Sequence, residues 1–76
     1  MIVSKKIDEV TFEQDLMYLH FLGESIKVPL ESVSAKLLAA NDMQRNFYKI
    51  SPSGYGIHWP LIDEDLSVDK MLSAKP

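Results

Sequence analysis

The sequence predicts an α+β fold in one domain that spans residues 1–76. Apolar and polar residues alternate in stretches at both ends of the chain, whereas apolar residues recur at helical spacing in the middle. Glycine and proline separate these stretches. The predicted order is a three-stranded antiparallel meander, a helix, a short helix, a β-hairpin and a terminal helical turn.

Two strands open the predicted meander. Ile7–Glu13 alternates apolar and polar residues, which is typical of a strand with one buried face. Residues 16–22 form a nearly continuous apolar and aromatic run. Such a run is typical of a strand covered on both faces, or covered on one face and paired at an interface on the other. Tyr18 and His20 share one face of this run. The sequence allows two locations for that face, the inner core and a dimer surface.

A tight turn at Gly23 leads to the third strand, since glycine readily adopts the positive φ that such a turn requires. This strand covers residues 26–30. Pro29 has no N–H to donate to a strand ladder, so the strand must end there or lie at the edge of its sheet.

The middle of the chain predicts two helices. Over residues 30–40, apolar residues recur at helical spacing. These residues are Leu30, Val33, Leu37 and Ala40. Asn41 and Gln44 match a capping box, so a short helix is predicted to begin there and to run to about Asn46.

The last third of the chain predicts a hairpin and a helical turn. Residues 47–50 and 57–59 are its two strands, joined by turn residues 52–56. Trp59 is expected in the core beneath the helix, because burial is the commonest role of so large an apolar side chain. Ser67 is expected to cap the final helical turn.

Composition and charge exclude several classes of function. The net charge of −3 argues against non-specific nucleic-acid binding, which needs lysine and arginine to neutralise phosphates. The absence of cysteine excludes disulfides and thiolate metal sites. No apolar run approaches the ~20 residues of a membrane span, and residues 1–6 lack the apolar core of a signal peptide. The sequence therefore predicts a cytoplasmic protein.

Residues 54–66 are the stretch least typical of a generic domain, because they hold the single tryptophan and the densest acidic cluster. His58 lies among them, and imidazole with nearby carboxylates suits zinc, iron or manganese. Strand alternation, however, sends His58 to the face opposite Trp59, and Pro60 redirects the chain before the acidic residues. A surface histidine is the simpler interpretation, and no metal or other cofactor is predicted.

The acidic residues Asp63, Glu64, Asp65 and Asp69 allow several interpretations. They form a solvated loop, or Asp65 and its neighbours help to cap the last helix. Alternatively they dock a basic partner, since four acids within seven residues create a negative field. Acid–base catalysis would need shelter from solvent, which a loop in so short a chain does not offer. Tyr55 is expected to be exposed and belongs to the same docking surface, because tyrosine is frequent at interfaces.

Sequence motifs for catalysis are absent. Gly54 and Gly56 do not open a lysine-bearing helix, there is no Gly-x-Ser-x-Gly motif, and there is no cysteine nucleophile. Three central cations, Lys36, Arg45 and Lys49, are too few for a nucleic-acid footprint and could equally meet an acidic patch on a second copy. The protein is therefore predicted not to be an enzyme.

Three segments resemble the domain of unknown function 2442 family. They are residues 26–30 (IKVPL), residues 37–41 (LLAAN) and residues 55–68 (YGIHWPLIDEDLSV). The family pattern is a strand ending in Pro-Leu, a helix ending in Leu-Leu and a C-terminal GIHWP-x-x-DED block. The chain departs from this pattern at residues 32–35, where members often have an aromatic residue and a proline, and at Asp42, where many carry proline.

The resemblance implies a small bacterial α+β protein, similar to the N-terminal domain of a protein whose second domain is a helix-turn-helix DNA binder. Members are often encoded beside another small protein, which implies an antitoxin-like role in a two-protein system. No catalytic residues are established for the family, so the resemblance implies none in this chain.

The leading expectation for function is a non-enzymatic protein-interaction module. Its partner would be a basic protein encoded nearby, docked on the acidic residues and Tyr55. One alternative is a small-ligand or metal-sensing regulatory domain with a site around His58. Another is a self-associating structural domain that forms a homodimer through the strand from Met17 to Leu22. No binding to nucleic acid or to a membrane is expected.

Overall fold

Three antiparallel strands form the first sheet of the computed structural model, which describes residues 6–73. The strands β1 (Ile7–Glu13), β2 (Leu16–Phe21) and β3 (Glu24–Pro29) lie in the order β1–β2–β3, which confirms the predicted meander. β3 ends at Pro29 and lies at the edge of this sheet, so both alternatives that the proline left open are met. Residues 1–5, which carry most of the segment considered for a signal peptide, lie outside the described residues.

The central strand β2 alternates between the core and the outer face of the sheet. Its buried side chains are Met17, Leu19 and Phe21. Tyr18 and His20 lie half-buried on the outer face. Both edges of β2 are paired with neighbouring strands, so its backbone offers no free edge to a second copy. Leu22, expected as the end of this strand, lies in the following turn and is 94% exposed.

Two short helices stand where the sequence predicted one helix over residues 30–40. The helices α1 (Leu30–Val33) and α2 (Ala35–Ala39) are separated by Ser34, whose φ of −159° and ψ of 109° are extended. The Ser34 hydroxyl accepts a hydrogen bond from the Leu37 amide and so caps α2. Helical spacing of apolar residues did not reveal this interruption, because it arises from a serine side chain that competes for backbone hydrogen bonds.

The helix α3 (Asp42–Asn46) confirms the predicted capping box. The Asn41 side chain accepts a hydrogen bond from the Gln44 amide at 2.8 Å, and the Gln44 side chain accepts one from the Asn41 amide at 3.0 Å. The helix also ends at the predicted residue. No helix within residues 6–73 is long and apolar enough to cross a membrane.

The second sheet contains three strands where the sequence predicted a hairpin. The strands β4 (Lys49–Ile50), β5 (Gly56–Trp59) and β6 (Glu64–Ser67) are antiparallel and lie in the order β4–β5–β6. The helix α4 (Val68–Ser73) follows, and the Ser67 hydroxyl accepts a hydrogen bond from an amide of its first turn, which confirms the predicted cap. β6 begins inside the acidic cluster that was expected to be a loop.

One cluster of buried apolar side chains joins the two sheets and the helices. Trp59 lies in this core with no exposed surface, as predicted. Two hydrogen bonds also tie β1 to the second half of the chain. The Ile7 amide donates to the Gly54 carbonyl at 3.1 Å, and the Val10 amide donates to the Tyr48 hydroxyl at 3.0 Å. These bonds engage two amides on the free edge of β1.

Arg45 is buried and holds three segments together. Its guanidinium donates to the carbonyls of Leu37 at 2.9 Å and Leu38 at 3.0 Å, where α2 ends. It also donates to the Gln14 carbonyl in the β1–β2 turn at 2.6 Å and lies 5.8 Å from the centre of the Phe12 ring. The sequence grouped Arg45 with Lys36 and Lys49 as a central cation, whereas the structure shows its guanidinium buried and engaged with backbone carbonyls.

Candidate functional site

The outer face of the second sheet brings together residues that are far apart in the sequence. Cross-strand pairing sets Lys49 opposite His58, and His58 opposite Asp65, so the three lie in one row. Gly56 and Ser67 form the neighbouring row on the same face, because residues two apart in a strand point to the same side. This face therefore presents charged, polar and uncovered backbone groups side by side.

A groove of about 640 Å³ lies over this face. Small-molecule sites typically have volumes of roughly 300–1,000 Å³ and combine mainly apolar walls with a few polar groups. The groove has this composition. Its lining residues are Lys49, Ile50, Ser51, Pro52, Gly56, Ile57, His58, Asp65, Leu66, Ser67 and Lys70.

A hydrogen bond orients the imidazole in the groove. His58 Nδ1 lies 2.7 Å from Asp65 Oδ1, an arrangement in which the Nδ1–H donates to the carboxylate. The side chains are 42% and 76% exposed, so the pair contributes little to stability and acts mainly to position the ring. Nε2 is then the ring nitrogen that remains for a ligand.

The sequence missed this pair because it assigned the acidic residues to a loop after Pro60. The structure brings the chain back as β6, which places Asp65 beside His58. One signal in the sequence favoured a strand there. Leu66 and Val68 are apolar residues two positions apart, and both are buried.

Glu64 points away from the groove, since adjacent residues of a strand face opposite sides. Its Oε2 accepts a hydrogen bond from the Ser34 hydroxyl, and its Oε1 accepts one from the Asp65 amide at 3.1 Å. The side chain is half-buried, so Glu64 joins the helices to the second sheet and covers an amide of β6. It is a structural residue and contributes no free carboxylate to a docking surface.

Replacing Ser34 with alanine is expected to lower the free energy of unfolding by about 1–2 kcal/mol. The change removes the cap of α2 and leaves the half-buried Glu64 carboxylate without its hydroxyl donor. Urea unfolding followed by tryptophan fluorescence measures the effect. Ser32→Ala, which changes an exposed serine of α1, is the matched control and should cost less than about 0.5 kcal/mol. Equal losses in the two variants would contradict the role assigned to Ser34.

The remaining acidic candidates lie at different places. Asp63 is exposed in the β5–β6 turn with a φ of 52°, and its backbone carbonyl accepts a hydrogen bond from Lys36 Nζ at 2.8 Å. Asp69 lies in the first turn of α4. Tyr55 is 40% exposed in the turn before β5, as expected. The four acids predicted as one surface are therefore divided between the groove, the turn, the helix and the core side of β6.

The carboxylates of this region do not gather around His58 as ligands would around a metal ion. Among residues 6–73, no group of three or more histidine, aspartate or glutamate side chains is placed to hold a metal. Asp65 is the carboxylate that contacts His58, and Glu64 faces the opposite side of the strand. The His58–Asp65 pair is therefore better suited to orienting a hydrogen bond than to binding a metal.

Two lysines of the groove were not recognised as site residues in the sequence. Lys49 lies in the row with His58, and Lys70 reaches the groove from α4. Within the described part of the chain, no hydrogen bond or ion pair engages the ammonium group of either lysine. By contrast, the Lys36 ammonium is bonded to the Asp63 carbonyl. Only the tertiary structure, through the pairing of β4 with β5 and the position of α4, reveals that Lys49 and Lys70 border the same space.

A family model described as "Protein of unknown function (DUF2442)" matches residues 7–76. The fold is similar to a crystal structure of a protein of unknown function from Rhodospirillum rubrum, with a TM-score of 0.75 and 22% sequence identity. The similarity covers 93% of this chain and 88% of that chain. At this identity the likeness shows the fold alone. A search of curated proteins found no match.

Proposed function

We propose that this chain, which belongs to the family described as "Protein of unknown function (DUF2442)", is a non-enzymatic domain that binds a small ligand in the cytoplasm. The observation that carries the proposal is the groove over the second sheet, with its apolar walls and an imidazole already oriented by a carboxylate. A site with this volume and lining is the usual form of a small-molecule pocket.

The groove is built on paired strands, which supports binding without a large rearrangement. β5, the central strand, contributes its floor and is hydrogen-bonded on both edges. Gly56 has no side chain, and this keeps the floor open. A Cβ at Gly56 would meet the Ser51 hydroxyl at 3.6 Å and the Leu66 carbonyl at 3.8 Å, which are ordinary contacts. A larger residue is therefore expected to fill the groove with little effect on the backbone.

Gly56→Val is expected to weaken ligand binding at least about tenfold, because its methyl groups occupy the space that a ligand needs. Four fragments of different charge serve as ligands: benzoate, phenol, indole and benzylamine. NMR spectra of the ¹⁵N-labelled protein are expected to show amide shifts for at least one fragment at Gly56, Ile57 and Ser67. In the variant, the corresponding shifts of the groove amides are expected to be lost.

Ser25→Val is the matched control for this experiment, since it adds the same side chain at an exposed position of β3 in the other sheet. It should leave fragment binding unchanged. The proposal is contradicted if no fragment shifts the groove amides, or if Gly56→Val binds the fragments as the unaltered protein does.

A second candidate function is docking of a basic protein partner, in the manner of the antitoxin-like member of a two-protein system. The observation that favours it is the exposure of Asp63, Asp65 and Tyr55 around the turns that flank β5. Exposed carboxylates accelerate encounter with a positive surface, and this attraction weakens as salt rises. The product of a neighbouring gene is the partner to test.

The double substitution Asp63→Asn and Asp65→Asn is expected to weaken this docking and to reduce its dependence on salt. Asparagine suits the test because it tolerates the φ of 52° at position 63, whereas alanine would add strain. Asp8→Asn, an exposed acid of β1, is the control. Calorimetry at several salt concentrations measures the binding. Affinity that is indifferent both to salt and to the double substitution would exclude docking on these acids.

A further inference from the structure

We infer that the ligand of the groove is a small apolar carboxylate, in which one anionic group is attached to an apolar body. This inference rests on the proposed function of the groove as a binding site. It is drawn from three features: the sign of the charges in the lining, the orientation of the imidazole and the apolar walls between them.

The lining of the groove is positive although the chain is acidic overall. Lys49 and Lys70 contribute two positive charges, and Asp65 contributes one negative charge. The whole chain carries a net charge of −3. The Asp65 carboxylate is already bonded to His58, whereas no described group engages the two ammonium groups. The unsatisfied charge in the groove is therefore cationic, and an anionic ligand complements it.

The imidazole supplies a directed hydrogen bond for the same anion. Because Nδ1 of His58 is bonded to Asp65, Nε2 is the ring nitrogen left for a ligand, and in the imidazolium form of the ring it carries the remaining N–H donor. A ligand carboxylate can accept from this N–H while its charge faces the lysines. Hydrogen bonds between ionised groups are shorter and roughly twice as strong as neutral ones.

The remaining surface of the groove is apolar and calls for an apolar body on the ligand. Pro52 and the aliphatic stems of Lys49 and Lys70 contribute apolar surface to the walls, and Gly56 leaves the floor open, whereas the side chains of Ile57 and Leu66 are buried in the core. Burying an aromatic or branched aliphatic group against these side chains removes apolar surface from water, which provides non-directional affinity. The charged groups then select the ligand by its anionic end.

A carboxylate fits this lining better than a phosphate does. Strong phosphate sites in proteins commonly use the forked guanidinium of arginine or several converging backbone amides. The groove lining contains no arginine, since Arg45 is buried elsewhere and bonded to three carbonyls. Two separate lysines and one imidazole match a single, less charged anion.

The inference is tested with four compounds titrated into the ¹⁵N-labelled full chain at one pH and salt concentration. Three share a phenylbutyl body: 4-phenylbutyrate, 4-phenylbutanol and 4-phenylbutylamine. The fourth is phenyl phosphate. We expect 4-phenylbutyrate to shift the NMR signals of the Gly56, Ile57 and Ser67 amides. It should bind at least about tenfold more tightly than the alcohol, because the alcohol makes no charge-assisted hydrogen bonds. The amine is expected to bind more weakly still.

Lys49→Met and Lys70→Met are expected each to weaken 4-phenylbutyrate binding several-fold, and together to reduce the preference for the acid over the alcohol to the part that His58 supplies. Methionine keeps an unbranched apolar stem and removes the charge. Lys27→Met, an exposed lysine of β3 in the first sheet, is the matched control and should leave binding unchanged.

The outcomes separate this inference from the proposed function. Equal affinity for the acid and the alcohol at the groove amides, or tighter binding of phenyl phosphate, would overturn the carboxylate inference and leave the groove as a ligand site. If neither these compounds nor the four fragments shift the groove amides, both the inference and the proposed function fail. Loss of acid preference in the Lys27→Met control would also overturn the role of the two groove lysines.

Discussion

Replacing Arg45 with methionine is expected to lower the free energy of unfolding by roughly 3 kcal/mol or more. The carbonyls of Gln14, Leu37 and Leu38 would lose their donor while remaining in buried or partly buried surroundings. A hydrogen bond to a charged group contributes about 1.5–3 kcal/mol, although such contributions are not additive. A domain of this length has a total stability of roughly 4–11 kcal/mol, so the variant would lose a large part of it.

Two further variants make this prediction specific. Arg45→Lys keeps the charge, but a single ammonium group cannot reach three carbonyls on two segments as the guanidinium does. It is therefore expected to lose most of the same stability. Lys27→Met removes an exposed cation and should change stability by less than about 0.5 kcal/mol. Urea unfolding followed by tryptophan fluorescence measures the stability of all three variants. A loss below about 1 kcal/mol for Arg45→Met would refute the role assigned to Arg45.

Replacing Trp59 with alanine is expected to cost roughly 3–5 kcal/mol, because it leaves a large cavity in the core shared by both sheets. Trp59 has no exposed surface, its ring lies 6.5 Å from that of Tyr48, and its Nε1–H donates to the Arg45 carbonyl at 2.9 Å. Trp59→Phe is expected to cost about 2 kcal/mol, since it keeps most of the apolar volume and removes the buried hydrogen bond.

Circular dichroism is the appropriate measurement for the Trp59 variants, because Trp59 is the single tryptophan and its fluorescence is lost on substitution. Phe47→Ala is the control, as this aromatic side chain is 50% exposed and should cost less than about 1 kcal/mol. If Trp59→Phe were no more destabilising than Phe47→Ala, the hydrogen bond to the Arg45 carbonyl would not contribute as proposed.

Elements governed by local rules were predicted closely from the sequence. Ile7–Glu13 has the bounds expected from alternation, and the Asn41–Gln44 capping box starts α3 as expected. The end of β3 at Pro29 is one of the two alternatives expected from a residue that lacks a donor. In each case the residues that determine the element are a few positions apart in the chain. The capping hydrogen bonds and the buried face of the strand therefore depend on the adjacent sequence alone.

Features that depend on distant partners were missed. Ser34 interrupts the predicted helix, and its hydroxyl bonds Glu64, which is thirty residues further along the chain. The buried role of Arg45 was not predicted, because its three acceptors are backbone carbonyls, which every residue of any sequence offers. Side-chain type alone does not tell whether a charged group will find buried partners.

The sequence by itself determined the fold class, the order of the main elements and the burial of Trp59, because these follow from hydrophobic spacing and turn residues. Only the tertiary structure decided the candidate site. Pairing of β6 with β5 places Asp65 beside His58, and pairing of β4 with β5 adds Lys49 to the same row. The register of paired strands is set by packing of the whole core. It therefore decides which of several similar surface residues share a face and can act on one ligand.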